Sequence, residues 1–155
     1  MRLILKMLVP ALVVGIVVGM LATTANARPQ RGCDKRLERQ SLDQPEPKDW
    51  PGLYRLFKQF GVCDDGAMSE GFSEDVAQLF SKQWLHLDTF SRLATTDKAF
   101  ERFVLRHIDA TLSDDELKVI VENSTSHCSA KEKRVCSLIR TRALDSLDEL
   151  RNALK

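Results

Sequence analysis

The sequence lacks any long run in which β-branched residues alternate with polar ones, so no segment of it is typical of a β-strand. It has only 3 histidines and no C-x-x-C pair, which argues against a structural zinc site, because such sites usually draw ligands from closely spaced pairs. It also lacks an excess of either charge, since the formal net charge is +1. A nucleic-acid-binding domain is usually strongly basic. We therefore expect no nucleic acid, no cofactor and no metal among its ligands.

The first residues have the three parts of a secretory signal peptide. Arg2 and Lys6 supply the positive charge, residues 7–22 form an apolar run, and residues 25–27 read Ala-Asn-Ala, a cleavage motif. The apolar run is shorter than the roughly 20 residues that a membrane-spanning helix needs. We therefore expect residues 1–27 to be a cleaved signal peptide; the alternative is an uncleaved N-terminal anchor.

The residues after the cleavage motif predict an exported chain without a membrane anchor. A lipid-anchored protein would have a cysteine at the cleavage position, whereas the first cysteine is Cys33. Removal of residues 1–27 takes away two positive charges and leaves a net charge of −1 in a mature chain that begins at Arg28. A chain of this length can bury one hydrophobic core. We expect a periplasmic or secreted protein with a single helical domain over residues 49–155.

All 4 cysteines lie in the part that we expect to be exported. An even number of cysteines in an oxidising compartment predicts disulfides, and four cysteines allow three pairings. Cys128 and Cys136 can pair only if the chain reverses between them, because residues eight apart in one straight helix lie roughly 12 Å apart. Residues 129–132 read Ser-Ala-Lys-Glu, a capping box that would start a new helix at that reversal. We therefore expect Cys128 to pair with Cys136, and Cys33 with Cys63.

Residues 28–48 contain several prolines and few apolar residues, which predicts an irregular N-terminal arm. After them, apolar residues recur with helical spacing in several segments. The capping residues Asp49, Asp97 and Ser113 mark three of the helix starts. Helical segments are expected at residues 49–61, 65–84, 87–94, 97–108 and 113–124, and from residue 130 onward.

The second of these segments has a weak beginning. Gly66 and Gly71 disfavour a helix there, so we expect a turn or a short separate helix before Ser73. Five or six helices with short connections predict an all-α fold, a compact irregular or orthogonal bundle stapled by two disulfides.

His107 is the most suggestive titratable residue, because it shares an apolar helical stripe with Phe103 and Ile108. One interpretation is a buried histidine that hydrogen-bonds to the backbone or to a carboxylate. The other is a small hydrolase that uses His107, or an acidic pair such as Asp65 and Glu70. No strained nucleophile turn of the G-x-S-x-G type accompanies the histidine, so the structural interpretation is favoured and no catalytic residue is assigned.

Residues 59–81 contain acidic side chains and not one lysine or arginine. This asymmetry predicts a negative surface that attracts a protein partner with a basic surface. The alternative is local helix chemistry, because carboxylates near helix N-termini interact favourably with the macrodipole. The spacing of a calcium-binding EF-hand loop is absent. The candidate partner-binding residues are Asp64, Asp65, Glu70, Glu74 and Asp75.

Two runs of the sequence, CDDGAMSEGFS at residues 63–73 and FVLRHID at residues 103–109, resemble a group of small exported helical proteins of proteobacteria. The resemblance covers roughly residues 50–140 and brings no catalytic residues with it. In its plan, a signal peptide followed by a compact disulfide-bonded helical domain, the chain is also similar to periplasmic immunity proteins, which neutralise wall-degrading or membrane-active toxins of rival bacteria. That second likeness is one of architecture and not of motif.

Together these features predict a periplasmic protein that binds or inhibits another protein without catalysis, for example an immunity protein against a toxin. Two other classes stay open, a small periplasmic hydrolase and a structural factor of the cell envelope. A deep pocket that holds His107 beside a carboxylate would favour the hydrolase. The sequence leaves the identity of the partner and the oligomeric state open.

Overall fold

Helices alone make up the regular secondary structure of the part of the chain that the structure describes. The computed structural model describes residues 32–153 and Lys155, and the expected signal peptide with its cleavage motif lies outside them. The all-α fold class is confirmed, with seven α-helices in the described residues rather than five or six. In chain order they are α1 (Lys35–Leu42), α2 (Trp50–Phe60), α3 (Gly66–Lys82), α4 (Leu87–Thr96), α5 (Lys98–Arg106), α6 (Asp114–Ser126) and α7 (Lys133–Ala153).

The additional helix, α1, lies within the arm that we expected to be irregular. Asp34 caps it, because its carboxylate accepts the N–H groups of Arg36 at 2.9 Å and Leu37 at 2.8 Å. Leu37 packs against the hydrophobic core. The Cys33–Cys63 disulfide, with Cα atoms 4.7 Å apart, attaches the start of the helix to the 3-10 turn that follows α2. A short helix with few apolar residues is therefore stabilised by tertiary contacts that the local sequence does not reveal.

The expected break before Ser73 is absent, and α3 is one continuous helix. Gly66 begins it with a left-handed φ of +52°, and Gly71 lies on its exposed side. A glycine inside a helix costs about 1 kcal/mol relative to alanine. The opposite face of α3 buries an apolar stripe whose burial outweighs that cost: Phe72, Val76, Leu79 and Phe80.

Three helix starts lie where the capping residues predict them. The carboxylate of Asp49 accepts the N–H of Gly52 at 2.7 Å, and that of Asp97 accepts two N–H groups at the start of α5. Ser113 and Glu116 form a complete capping box at the start of α6. Each cap involves residues at most three positions apart, so local sequence is enough to predict it.

The connection between α6 and α7 reverses the chain, as the expected Cys128–Cys136 pairing requires. That disulfide is present, with Cα atoms 6.2 Å apart. The Ser129 capping box does not start a helix, however, because the N–H of Glu132 donates to the carbonyl of Ser129 at 3.2 Å in a turn. The helix begins after this turn, at Lys133. Both disulfides therefore have the expected partners.

Aromatic side chains form the centre of the hydrophobic core. The ring centroids of Trp50 and Phe90 lie 4.7 Å apart, and Phe90 contacts Phe100 from the next helix at 6.0 Å. Phe100 stacks on Phe103, whose ring meets the imidazole of His107 edge-on at 4.5 Å. The aromatic core therefore leads directly to the one buried histidine among the described residues.

Candidate functional site

His107 lies immediately after α5 rather than inside it, because the helix ends at Arg106. The backbone N–H of His107 still donates to the carbonyl of Phe103 at 3.3 Å, so the chain continues in a helical direction for one more residue. The side chain is 0% exposed and packs against the rings of Phe72 and Phe103. The sequence-based expectation that His107 points into the core is confirmed.

Four polar side chains surround this imidazole, and together with it they form what we call the His107 network. Nδ1 lies 3.1 Å from Oγ of Ser73, and Nε2 lies 3.2 Å from both carboxylate oxygens of Asp64. The hydroxyl of Ser73 is also 2.9 Å from the Asp109 carboxylate, and the Arg106 guanidinium pairs with Asp64. Polar groups from three separate parts of the chain thus meet inside the protein.

The groups of the network come from three parts of the chain. Asp64 follows the short 3-10 turn that ends at Cys63, and its side chain is only 6% exposed. Ser73 lies on the buried face of α3. Asp109 lies in the turn after α5, where its carboxylate also accepts the N–H of Thr111 at 2.9 Å. The network therefore joins the segment around the first disulfide to α3 and to the end of α5.

The surroundings shift the pKa values of two network members. Burial lowers the pKa of His107 below its usual value of 6.5, and the nearby Asp64 carboxylate only partly opposes this effect. Burial acts to raise the pKa of Asp109, but hydrogen bonds from Thr111 and Ser73 outweigh it and lower that pKa below 3.8. At neutral pH the imidazole is therefore neutral and Asp109 is ionised.

The geometry does not favour catalysis by His107. A general base has to reach a proton on the substrate, but both ring nitrogens already contact protein groups and the imidazole has no exposed surface. Ser73, whose hydroxyl lies 3.1 Å from Nδ1, is 1% exposed and lies in a regular helix rather than in a strained turn. Of the alternative acidic pair, Asp65 caps α3 and Glu70 is exposed on that helix.

The five predicted partner-binding carboxylates do not form one surface. Asp64 points inward, where Arg106 compensates its charge. Asp65 accepts the N–H of Gly66 at 2.8 Å as the cap of α3, so the local helix chemistry explains this residue. The other three, Glu70, Glu74 and Asp75, lie on α3, the first two exposed and the last partly buried.

A small cleft brings two of these residues together with a carboxylate that the sequence pattern missed. The acidic cleft, with a volume of about 180 Å³, lies between α3 and the connection after α1 and contains Glu46, Glu74 and Asp75. Burial, followed by the charges of Glu46 and Glu74, raises the pKa of Asp75 to about 7. Glu46 lies outside the acidic segment, between two prolines, and no local signal connects it with α3.

The acidic cleft brings three carboxyl groups together. Within residues 32–153, no lysine or arginine forms a salt bridge with Glu46, Glu74 or Asp75. In the same part of the chain, no three His, Cys, Asp or Glu side chains are arranged to hold a metal ion. Among residues 32–153, the cleft is thus a concentration of negative charge that no salt bridge compensates.

A larger groove of about 660 Å³ lies elsewhere on the surface, beside the connection between α6 and α7. Trp84 forms part of its floor and donates its indole N–H to the carbonyl of His127 at 2.9 Å. Leu85, at its edge, is 93% exposed. None of the predicted site residues lines this groove. Among the described helices, none is both long and apolar enough to span a membrane.

Comparison of the chain with known proteins finds no matching family model, no matching curated protein and no matching solved structure.

Proposed function

We propose that the protein is a non-catalytic binding or inhibitory protein of the periplasm, and that the acidic cleft, together with the exposed Glu70, receives basic side chains of a protein partner. An immunity protein that covers the active cleft of a wall-degrading or membrane-active toxin is the specific form of this proposal. The presence of two disulfides agrees with an oxidising compartment.

The observation that carries the proposal is the meeting of Glu46, Glu74 and Asp75 in one cleft, where burial and the other two charges raise the pKa of Asp75 to about 7. A carboxyl group that is partly buried next to two other carboxylates raises the free energy of the unbound protein when it ionises. An arginine or lysine of a partner placed in the cleft would stabilise the ionised form. Perturbed pKa values in clefts are typical of functional sites, although structural networks also produce them.

The arrangement on α3 extends this negative surface. Glu70 and Glu74 are four residues apart in one helix, so their side chains lie on the same face. Both are exposed. Charged groups of this kind increase the rate of association with an oppositely charged partner and make binding sensitive to salt.

The test begins with the oxidised protein isolated from periplasmic extract, whose intact mass should correspond to a chain that starts at Arg28 without lipid. Captured partners are identified by mass spectrometry and purified, and their affinity is measured by calorimetry at low and high salt. We expect a variant with Glu46→Gln, Glu74→Gln and Asp75→Asn to bind about 10-fold to 100-fold more weakly.

A matched control removes three exposed carboxylates elsewhere, by Asp88→Asn, Glu122→Gln and Asp145→Asn. This control should change the affinity less than about threefold, since it alters the net charge equally but leaves the cleft intact. Equal binding by the two triple variants would contradict the proposal. For the immunity form, the captured protein should be an enzyme or toxin whose activity falls when the wild-type protein is added.

A further inference from the structure

The His107 network contains fewer hydrogen atoms than hydrogen bonds when its imidazole is neutral. Three contacts each need one hydrogen: Nε2 with Asp64, Nδ1 with Ser73, and Ser73 with Asp109. An ionised carboxylate has no hydrogen to donate, so Nε2 must carry one and donate it to Asp64. The single hydroxyl hydrogen of Ser73 can then serve Nδ1 or Asp109, but not both. The carbonyl of Ser69, 3.1 Å from the same hydroxyl, competes for it as well.

The charged imidazole has a hydrogen for each of the three contacts, but its surroundings stabilise a positive charge poorly. A second hydrogen, on Nδ1, would satisfy Ser73 and free the hydroxyl to donate to Asp109. The imidazolium would, however, be fully buried, and it would share Asp64 with the guanidinium of Arg106. The Asp109 carboxylate, which reaches the ring through the hydroxyl of Ser73, favours the charged form less than burial opposes it. The rings of Phe72 and Phe103, which pack against the imidazole, carry no charge.

A fall in pH favours release of the imidazole over the closed network. Because burial lowers the pKa of His107, an imidazole released into water binds a proton at a higher pH than the one inside the network. Protons therefore favour the released state once the pH falls below about 6.5. Between that pH and the lower pKa of the buried group, the equilibrium constant for release of the network rises about tenfold for each unit by which the pH falls.

We propose that the His107 network is an acid-released latch, which holds residues 61–65 against the end of α5 at neutral pH and lets them move away in mild acid. The Cys33–Cys63 disulfide keeps the released segment attached to the start of α1. This inference does not depend on the acidic cleft or on any partner. It concerns how pH acts on the fold itself.

The test follows the oxidised wild-type protein by NMR from pH 8 to pH 4.5. Nitrogen correlations of the three histidine side chains should show His107 neutral at pH 7.5 with its hydrogen on Nε2. Amide hydrogen exchange of residues 61–65, corrected for its intrinsic pH dependence, should become up to tenfold faster per pH unit below 6.5, while amides in α6 and α7 stay protected. Constant protection of residues 61–65, or a hydrogen on Nδ1 at pH 7.5, would overturn the proposal.

Two variants separate the effect of the missing hydrogen from the effect of burying the histidine. Asp109→Asn supplies the missing hydrogen, because the amide can donate to Ser73 while its oxygen still accepts from Thr111. We expect it to shift the onset of faster exchange to lower pH by about one unit. An unchanged onset, or an earlier one, would show the count to be wrong. His107→Gln should remove the pH dependence between 6.5 and 4.5.

The controls address other side chains that could affect the exchange profile. Asp75 ionises near pH 7 on the same helix as Ser73, and Asp75→Asn should leave the exchange profile of residues 61–65 unchanged. His86 is exposed, and His86→Gln should also have no effect. The pKa of Asp109 lies below 3.8, so its own protonation falls outside the range. A profile that follows Asp75 instead of His107 would contradict the latch.

Discussion

His107 combines two stabilising roles, since its ring packs against aromatic side chains and both of its nitrogens contact polar groups. We predict that His107→Gln lowers the free energy of unfolding at pH 7.5 by about 1 to 3 kcal/mol. The glutamine amide would leave some polar groups of the His107 network without hydrogen-bond partners and would fill the space of the imidazole poorly. Urea unfolding of the oxidised protein measures the change. His86→Gln, at an exposed site, should change stability by less than about 0.5 kcal/mol. Equal effects of the two substitutions would show that the network is dispensable.

Asp75 is predicted to lower stability when it ionises. Burial and the neighbouring carboxylates raise its folded-state pKa from the usual 3.8 to about 7, so this group binds a proton more tightly in the folded protein than in the unfolded chain. The stability that this proton provides is fully present below about pH 4 and is lost as the pH rises through 7. Asp75→Asn should therefore have a higher melting temperature than the wild type at pH 8, with the difference disappearing near pH 4. A variant less stable than the wild type at pH 8 would contradict the raised pKa.

Among the helices, α3 is the one whose sequence is least favourable to its structure. Gly71 lies in its interior, and a Cβ added there would meet no atom within 4 Å. Gly71→Ala should therefore raise the free energy of unfolding by about 0.5 to 1 kcal/mol, since alanine restricts the unfolded chain and favours the helix.

Gly66 provides the matched control within the same helix. A Cβ there also meets no atom within 4 Å, but the residue has a φ of +52°. Gly66→Ala should thus lower stability, by about 1 kcal/mol, because an L side chain is strained in the left-handed region. Thermal unfolding of the two variants gives the comparison. Stabilisation by both substitutions would show that the start of α3 is less constrained than its backbone indicates.

For the molecule as a whole, the two disulfides should contribute unequally. Cys33 and Cys63 are 30 residues apart, whereas Cys128 and Cys136 are 8 apart. The loop-entropy relation gives about 3.6 kcal/mol for the longer loop and about 2.5 kcal/mol for the shorter one. We expect the double alanine variant of the first pair to lose more stability than that of the second pair, as measured by urea unfolding.

Peptide mapping without reduction checks the pairing itself. Peptides that link Cys33 to Cys63 and Cys128 to Cys136 should be recovered from the purified protein. A peptide that joins Cys33 to Cys128 or to Cys136 would contradict the structure.

Features that depend on neighbouring residues follow from the local sequence. Helix starts at Asp49, Asp97 and Ser113 follow from side-chain caps within three positions. The pairing of Cys128 with Cys136 was expected because residues 129–132 predicted a chain reversal between the two cysteines. The burial of His107 followed from the apolar stripe of α5.

Only the tertiary structure decided which polar groups meet. His107 and Asp64 are 43 residues apart, and Glu46 and Asp75 come from different elements, so no local pattern could connect either pair. The same reason applies to α1, which tertiary contacts stabilise although its own sequence resembles a loop. A carboxylate in an acidic segment can cap a helix, pair inside the core or face solvent. Packing between distant parts of the chain decides among these outcomes, because burial and neighbouring charges set the free energy of each carboxylate.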